Sequence, residues 1–299
     1  MGGDSIIMHQ LAHQGQLILG GIMPVKIVTD SGADLPEELA KEMGITVVPL
    51  YVRFGGEVYR DGVSISAEEF YERLTHDSIY PSTTQPGPQD FLEVYQELSA
   101  DADGIISIHI SGKLSGTCNS ALMARDMLDT GCPVEVVDSE QLTMSLSLMA
   151  VAAAEMAKAG ESMDKIVKWI KQAIPKTYLF FLLDTLEYLK RGGRIGKAKA
   201  LLGSVLKVKP MLTIKDGELV PVGQARNRTK GMDRLLEYVK NAGDIQDLAV
   251  VYNTTPDEAQ ALAERIGPVF AKEKIRMARV GPGLGVHGGP GAMIVSIRT

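Results

Sequence analysis

Three short polar stretches interrupt an otherwise apolar pattern, and their residue types define the chemistry open to the chain. Ser82-Thr83-Thr84-Gln85 offers hydroxyls and an amide. Ser111-Gly112-Lys113-Leu114-Ser115-Gly116-Thr117 sets further hydroxyls beside two glycines. Residues 281–291 form a glycine-rich run that carries His287. Hydroxyls and backbone N–H groups at a helix start cradle an anion, because first-turn N–H groups lack partners within the helix. The 111–117 stretch has that setting, with an apolar β-type run before it and a helical pattern after it. Ordinary helix capping by Ser115 or Thr117 explains the same hydroxyls.

A serine and a histidine also raise nucleophilic catalysis. The G-x-S-x-G elbow is not met, since Gly112-Lys113-Leu114-Ser115-Gly116 holds its leading glycine one position too far away. Ser115 or Ser111 with His287 would also need a carboxylate. Asp30 and Asp34 are available, but no spacing singles them out. Gly281-x-Gly283 follows a predicted strand, yet the pattern after the loop is again a strand. The dinucleotide fingerprint requires a helix there, so it is rejected. Such glycines instead allow positive φ or a close approach of backbone to ligand.

The remaining candidates are modest. His109 stands between isoleucines in an apolar run and reads as a satisfied core residue, while His9 and His13 are the one i,i+4 histidine pair. Cys118 and Cys132 form no CxxC and are too few for a zinc site, so they read as small buried hydrophobes in a reducing cytoplasm. The 14 methionines read mostly as adaptable core filler. Basic residues cluster at Lys190, Arg191, Arg194, Lys197 and Lys199, and again at Arg226, Arg228 and Lys230. They form either a solvated face or a docking surface for an acidic partner. The net charge of −6 argues against nucleic acid, which selects a concentrated basic excess.

These loops must be held by a scaffold, and hydropathy patterning supplies one. Short β-type runs at 25–29, 45–53, 104–110 and 134–137 alternate with helical patterns at 89–98, 142–158 and 163–174. Asp34 is placed to cap a helix with Pro36 in its first turn and Gly44 at its end. Gly55-Gly56 turns a hairpin, Ser66-Ala67-Glu68-Glu69 is a capping box, and residues 80–88 are a proline-rich loop. Alternation of this kind predicts βαβ units and a mainly parallel sheet, giving an α/β domain over 24–176. Residues 177–299 mix strands at 178–183, 248–252, 276–280 and 292–297 with helices at 184–190, 198–206, 232–241 and 257–270. They add an Asp216-Gly217 hairpin and predict a smaller α+β domain. Residues 1–23 read as a leader or an appended extension, lacking the cationic start and long apolar core of a signal peptide. No run of about 18 uncharged apolar residues is present, so no transmembrane segment is expected and membrane contact is at most transient.

Five stretches, taken in order, resemble the DegV family: Lys26-Ile-Val-Thr-Asp-Ser31, Ser82-Thr-Thr-Gln-Pro86, Ser111-Gly-Lys-Leu-Ser-Gly-Thr117, Leu186-Glu-Tyr-Leu-Lys-Arg-Gly-Gly-Arg-Ile195 and His287-Gly-Gly-Pro-Gly-Ala292. The resemblance implies a two-domain fold with a long-chain fatty acid in a tunnel between the domains. It implies a non-catalytic, cytoplasmic lipid-binding subunit of a bacterial fatty acid kinase, without metal or cofactor. The partner kinase subunit would use ATP to make acyl phosphate for phospholipid synthesis. By the same resemblance Thr83, Ser111 and His287 contact the carboxylate, with Thr84, Gly112 and Ser115 in the same motifs. Arg191, Arg194 and Arg226 would face the kinase. A stand-alone serine hydrolase using Ser115 or Ser111 with His287 is the alternative, and a carrier of another amphipathic carboxylate is a third reading.

Overall fold

The structure is a computed structural model and describes residues 24–201 and 208–299. The expected leader (1–23) and residues 202–206 of the helix predicted over 198–206 lie outside the described residues.

The first half runs β1 (Val25–Asp30), α1 (Glu37–Met43), β2 (Ile45–Val48), β3 (Tyr51–Phe54), β4 (Glu57–Arg60) and α2 (Ala67–His76). It continues through β5 (Ser82–Thr84), α3 (Pro88–Leu98), β6 (Gly104–His109), α4 (Thr117–Met127), β7 (Val134–Asp138), α5 (Thr143–Lys158) and α6 (Met163–Ala173). The second half runs β8 (Thr177–Leu182), α7 (Glu187–Arg191), β9 (Lys209–Lys215), β10 (Glu218–Ala225), α8 (Arg228–Lys240) and β11 (Asp247–Tyr252). It ends with α9 (Pro256–Ile266), β12 (Ile275–Arg279), α10 (Pro282–Gly288) and β13 (Met293–Arg298).

The fold is α/β, as the alternation implies. A parallel sheet, ordered β2-β1-β6-β7, carries the first half. A six-stranded sheet, ordered β10-β9-β8-β13-β11-β12, carries the second and is antiparallel except between β11 and β12. A small antiparallel sheet, β4-β3-β5, adds a flap. The two larger sheets share one core. Helix α5 is the reason: thirteen of its sixteen residues are buried, including Ala150, Ala153 and Ala154. A helix apolar on all sides must be surrounded. It packs on β1 and also on β11 and β13, and one apolar cluster runs from Ile27 and Ile106 through Leu146 to Ala249 and Ile294.

Several local expectations change. The strand expected over 45–53 is two strands in two sheets, split at Pro49-Leu50. Proline has no N–H for a ladder. The Leu50 N–H instead donates to Ser31 Oγ at 2.9 Å, which pins the break. The proline-rich 80–88 loop contains β5, which pairs with β3. Asp34 does not cap α1: Pro36 occupies the N-cap position without a side-chain cap, and Asp34 has left-handed backbone (φ 50°). The glycine-rich loop contains α10, so a short helix does follow β12. Asp216 and Gly217 (φ 51° and 74°) form the expected tight turn between β9 and β10. Among the described residues no helix is long and apolar enough to cross a membrane.

Candidate functional site

A cavity of about 820 Å³, open mouth included, lies between the two halves. Leu50, Ile110, Leu114 and Leu142 wall it from the first half. Phe181, Leu183, Leu189, Leu212 and Leu219 face them, with Val280, Leu284 and Ile294 beyond. Six polar side chains interrupt this lining: Thr83, Gln85, Ser115, Arg194, Asn253 and His287. A long apolar wall with a few convergent polar groups suits an amphipathic ligand.

Thr83 reaches the cavity because β5 alternates. Its neighbours Ser82 and Thr84 are exposed while Thr83 turns inward. His287 is delivered by α10, whose start is clamped by two carboxylates. Asp34 Oδ1 accepts from Gly281 N at 2.8 Å, and Asp61 Oδ2 accepts from Gly283 N at 3.1 Å. The bond to Gly281 engages Asp34 away from its expected capping role. Ser31 also donates to Asp61 Oδ2 at 2.7 Å. Burial raises both carboxyls, Asp61 to about 6 and Asp34 well above the ordinary carboxylate range. Two close approaches demand glycine in α10: a Cβ on Gly283 would lie 2.7 Å from Asp61 Oδ2, and one on Gly285 would lie 2.5 Å from the Phe70 ring. Tyr80 closes the helix end by donating to the Val286 carbonyl at 2.8 Å.

So held, His287 Nε2 lies 2.9 Å from Thr83 Oγ1. Nδ1 is buried without a partner, facing Gly192, where a Cβ would stand only 2.1 Å from it. Burial first, then the Arg194 charge, lowers the His287 pKa to about 4, so the ring is neutral near pH 7. An unpaired buried N–H is costlier than an unpaired ring lone pair, which puts the proton on Nε2 and directs it to Thr83. The Thr83 hydroxyl proton is then free for an anion in the cavity.

The other expected site residues distribute unevenly. Ser115 lines the cavity, its Oγ 2.8 Å from Thr117 Oγ1. Ser111 does not: it is fully buried and donates to the Gly217 carbonyl at 2.8 Å in the β9–β10 turn. The Gly112 N–H donates to Asp138 Oδ2 at 3.0 Å, away from the cavity lining, and Thr84 faces solvent. Neither serine is bonded to His287, Asp30 holds His109 at 2.9 Å, and Asp34 holds Gly281. The hydrolase trio is therefore not assembled among the described residues.

Arg191 is exposed, pairs with Glu187 at 2.8 Å and lies over the Tyr80 ring; Arg226 is also exposed. Arg194 is exposed as well, and its side chain also borders the cavity. Gln85, from the first polar stretch, also reaches the cavity, as does Asn253, which no spacing singled out. His109 is the satisfied core residue expected, bonded to Ser107 at 2.6 Å as well as to Asp30. Cys118 is buried, with its thiol pushed up to about 11 by desolvation, and Cys132 is half-buried.

Comparison with known proteins places these features in a lineage. Residues 24–299 match a family described as "Uncharacterised protein, DegV family". The chain is 36% identical over 271 residues to a DegV domain-containing protein of Caldanaerobacter subterraneus, covering 90% of this chain and 96% of that one. Among solved structures, a fatty-acid-binding DegV family protein of Thermus thermophilus superposes with a TM-score of 0.86 at 33% identity, covering 93% of this chain and all of that one. A stearic-acid-binding protein of Eubacterium ventriosum superposes with a TM-score of 0.82 at 29% identity, covering 92% of this chain and 98% of that one.

Proposed function

The chain belongs to the DegV family, and from that premise we propose that it binds a long-chain fatty acid and presents the carboxylate to a partner ATP-dependent kinase. The observation that carries this reading is the Thr83–His287 pair set in an otherwise aliphatic cavity. Burying about 15 methylenes at about 0.8 kcal/mol each offers up to roughly 12 kcal/mol. Association and ordering take back much of it, and enough remains for tight retention. A carboxylate costs several kcal/mol to bury unless it is hydrogen-bonded, and Thr83, with its donor freed by His287, meets that need. Ser115 and Gln85 stand within the same lining. Fatty acid binding by the Thermus and Eubacterium proteins supports the ligand class.

In this reading residues 24–176 and 177–299 act as two cytoplasmic domains that close over the acyl chain. Arg191 and Arg226, exposed and cationic, supply the surface that meets the kinase. A carboxylate oxygen attacks the γ-phosphorus of ATP on the partner, ADP leaves, and the acyl phosphate remains on the binder for phospholipid synthesis. Reconstitution tests it: this protein, oleate, ATP and a bacterial fatty acid kinase subunit are combined, and acyl phosphate is trapped with hydroxylamine. Hydroxamate is expected only when both proteins are present. Product formed by this chain alone would contradict the assignment.

A further inference from the structure

We propose that Asn253 gives the cavity a subsite for a hydroxyl group, so that the ligand it favours is a hydroxylated fatty acid. This deepens the fatty acid reading and rests on it. Asn253 is fully buried, and its side chain forms part of the cavity lining. Its Oδ1 has no hydrogen-bond partner among the described residues.

Neighbouring groups fix the orientation of the amide. Nδ2 donates to the Gly289 carbonyl. A carbonyl only accepts, so the nitrogen must take that side and the oxygen the other. The backbone is held as firmly. Asn253 N donates to the Ala292 carbonyl at 3.3 Å, and Arg279 Nε donates to the Asn253 carbonyl at 3.0 Å. The side chain cannot turn to seek another partner without giving up the Gly289 bond.

What Oδ1 requires is a donor. A buried carbonyl left without one is costly, and an apolar side chain would line an aliphatic cavity without that cost. The nearby hydroxyls are engaged elsewhere: Thr83 faces His287, and Ser115 faces Thr117. The ligand carboxylate does not supply the donor either, since its ionised oxygens only accept. A hydroxyl on the acyl chain does. Asn253 also neighbours the carboxylate anchor, because a Cβ on Gly288, the residue after His287, would lie 3.7 Å from Asn253 Nδ2.

Equilibrium competition against radiolabelled stearate tests the subsite on the full chain. The competitors are hydroxystearates carrying the hydroxyl at each carbon from the second to the twelfth. Wild-type protein should bind the isomer that meets Asn253 at least as tightly as stearate, and isomers at distant positions about tenfold more weakly. Asn253→Leu should abolish that distinction and bring the favoured isomer into line with the others. Weaker binding of every isomer would mean that a buried water serves Oδ1, and would overturn the proposal. So would equal binding of stearate and all isomers, or a favoured isomer that stays favoured in Asn253→Leu. Should Asn253→Leu fail to fold, the wild-type series decides by the same criteria. Wild-type protein that binds neither stearate nor any isomer would remove the fatty acid reading itself, and the proposal with it.

Discussion

Thr83 Oγ1 and His287 Nε2 lie 2.9 Å apart although 204 residues separate them. One sits on the edge strand of the small flap sheet, the other near the end of a seven-residue helix. Their bond joins the two halves of the chain within the lining of the apolar cavity. Removing the hydroxyl while keeping the shape should therefore weaken the carboxylate anchor without disturbing the acyl chain. Thr83→Val is expected to cost about 0.5–1.5 kcal/mol of oleate binding, measured by calorimetric titration. An unchanged affinity would show that Thr83 does not touch the ligand.

The neutral state of His287 has a pH signature. Its folded pKa of about 4 is below the ordinary 6.5, so the unfolded chain binds the proton more tightly. Burial of the ring costs nothing above the unfolded value, and stability is lost as pH falls from there toward about 4. The ring should titrate near 4 by NMR, and His287→Gln should lose less stability on acidification than wild type. A ring titrating at its ordinary value would remove this account of the tautomer.

Asp61 carries the opposite sign. Its folded pKa of about 6 lies above the ordinary 3.8, so its contribution is full below the ordinary value and is lost as pH rises through about 6. Asp61→Asn keeps an oxygen for Ser31 and Gly283 but never ionises. The variant should gain stability relative to wild type between pH 4 and pH 8, by up to about 3 kcal/mol, in denaturant titrations at the two pH values. A difference independent of pH would mean that the carboxyl is not held protonated.

Gly192 needs no unusual backbone, with φ −75°, yet it cannot carry a methyl group. A Cβ there would meet His287 Nδ1 at 2.1 Å. Gly192→Ala should displace the ring, cost about 1–3 kcal/mol of stability and weaken oleate binding. Native affinity in this variant would show that the ring position is not needed.

The exposed arginines separate binding from transfer. Arg191→Glu combined with Arg226→Glu should leave oleate affinity unchanged, since neither residue lines the cavity and the Arg191–Glu187 pair is a surface ion pair of small worth. Acyl phosphate formation with the kinase should fall. Undiminished transfer would remove these residues from the docking surface.

Much of the scaffold was legible in the residues. The apolar runs of β1, β6 and β7 announced a parallel sheet, and Asp216-Gly217 announced the turn whose two positive φ values the structure contains. Ser66 accepts from Glu69 N at 3.1 Å, as its capping pattern implied. What stayed hidden depended on contacts between distant segments. Pattern alone did not separate β2 from β3, because the break is pinned by Ser31, and proline was its one local sign. Glycines read as a loop, yet Asp34 and Asp61 stabilise α10 from the first half of the chain. Ser111 and Ser115 look equivalent in the 111–117 motif. Only the fold reveals that the Ser111 hydroxyl is engaged by Gly217 while Ser115 meets the cavity. Arg191 and Arg194 are both exposed, and only the fold reveals that Arg194 also borders the cavity.

The central claim is that the cavity holds a fatty acid, and mass spectrometry of protein purified without added lipid tests it most directly. Native spectra should show a stoichiometric adduct, and denaturing extraction should release a straight-chain acid of matching mass. A bare chain, still bare after incubation with oleate or palmitate, would contradict the account.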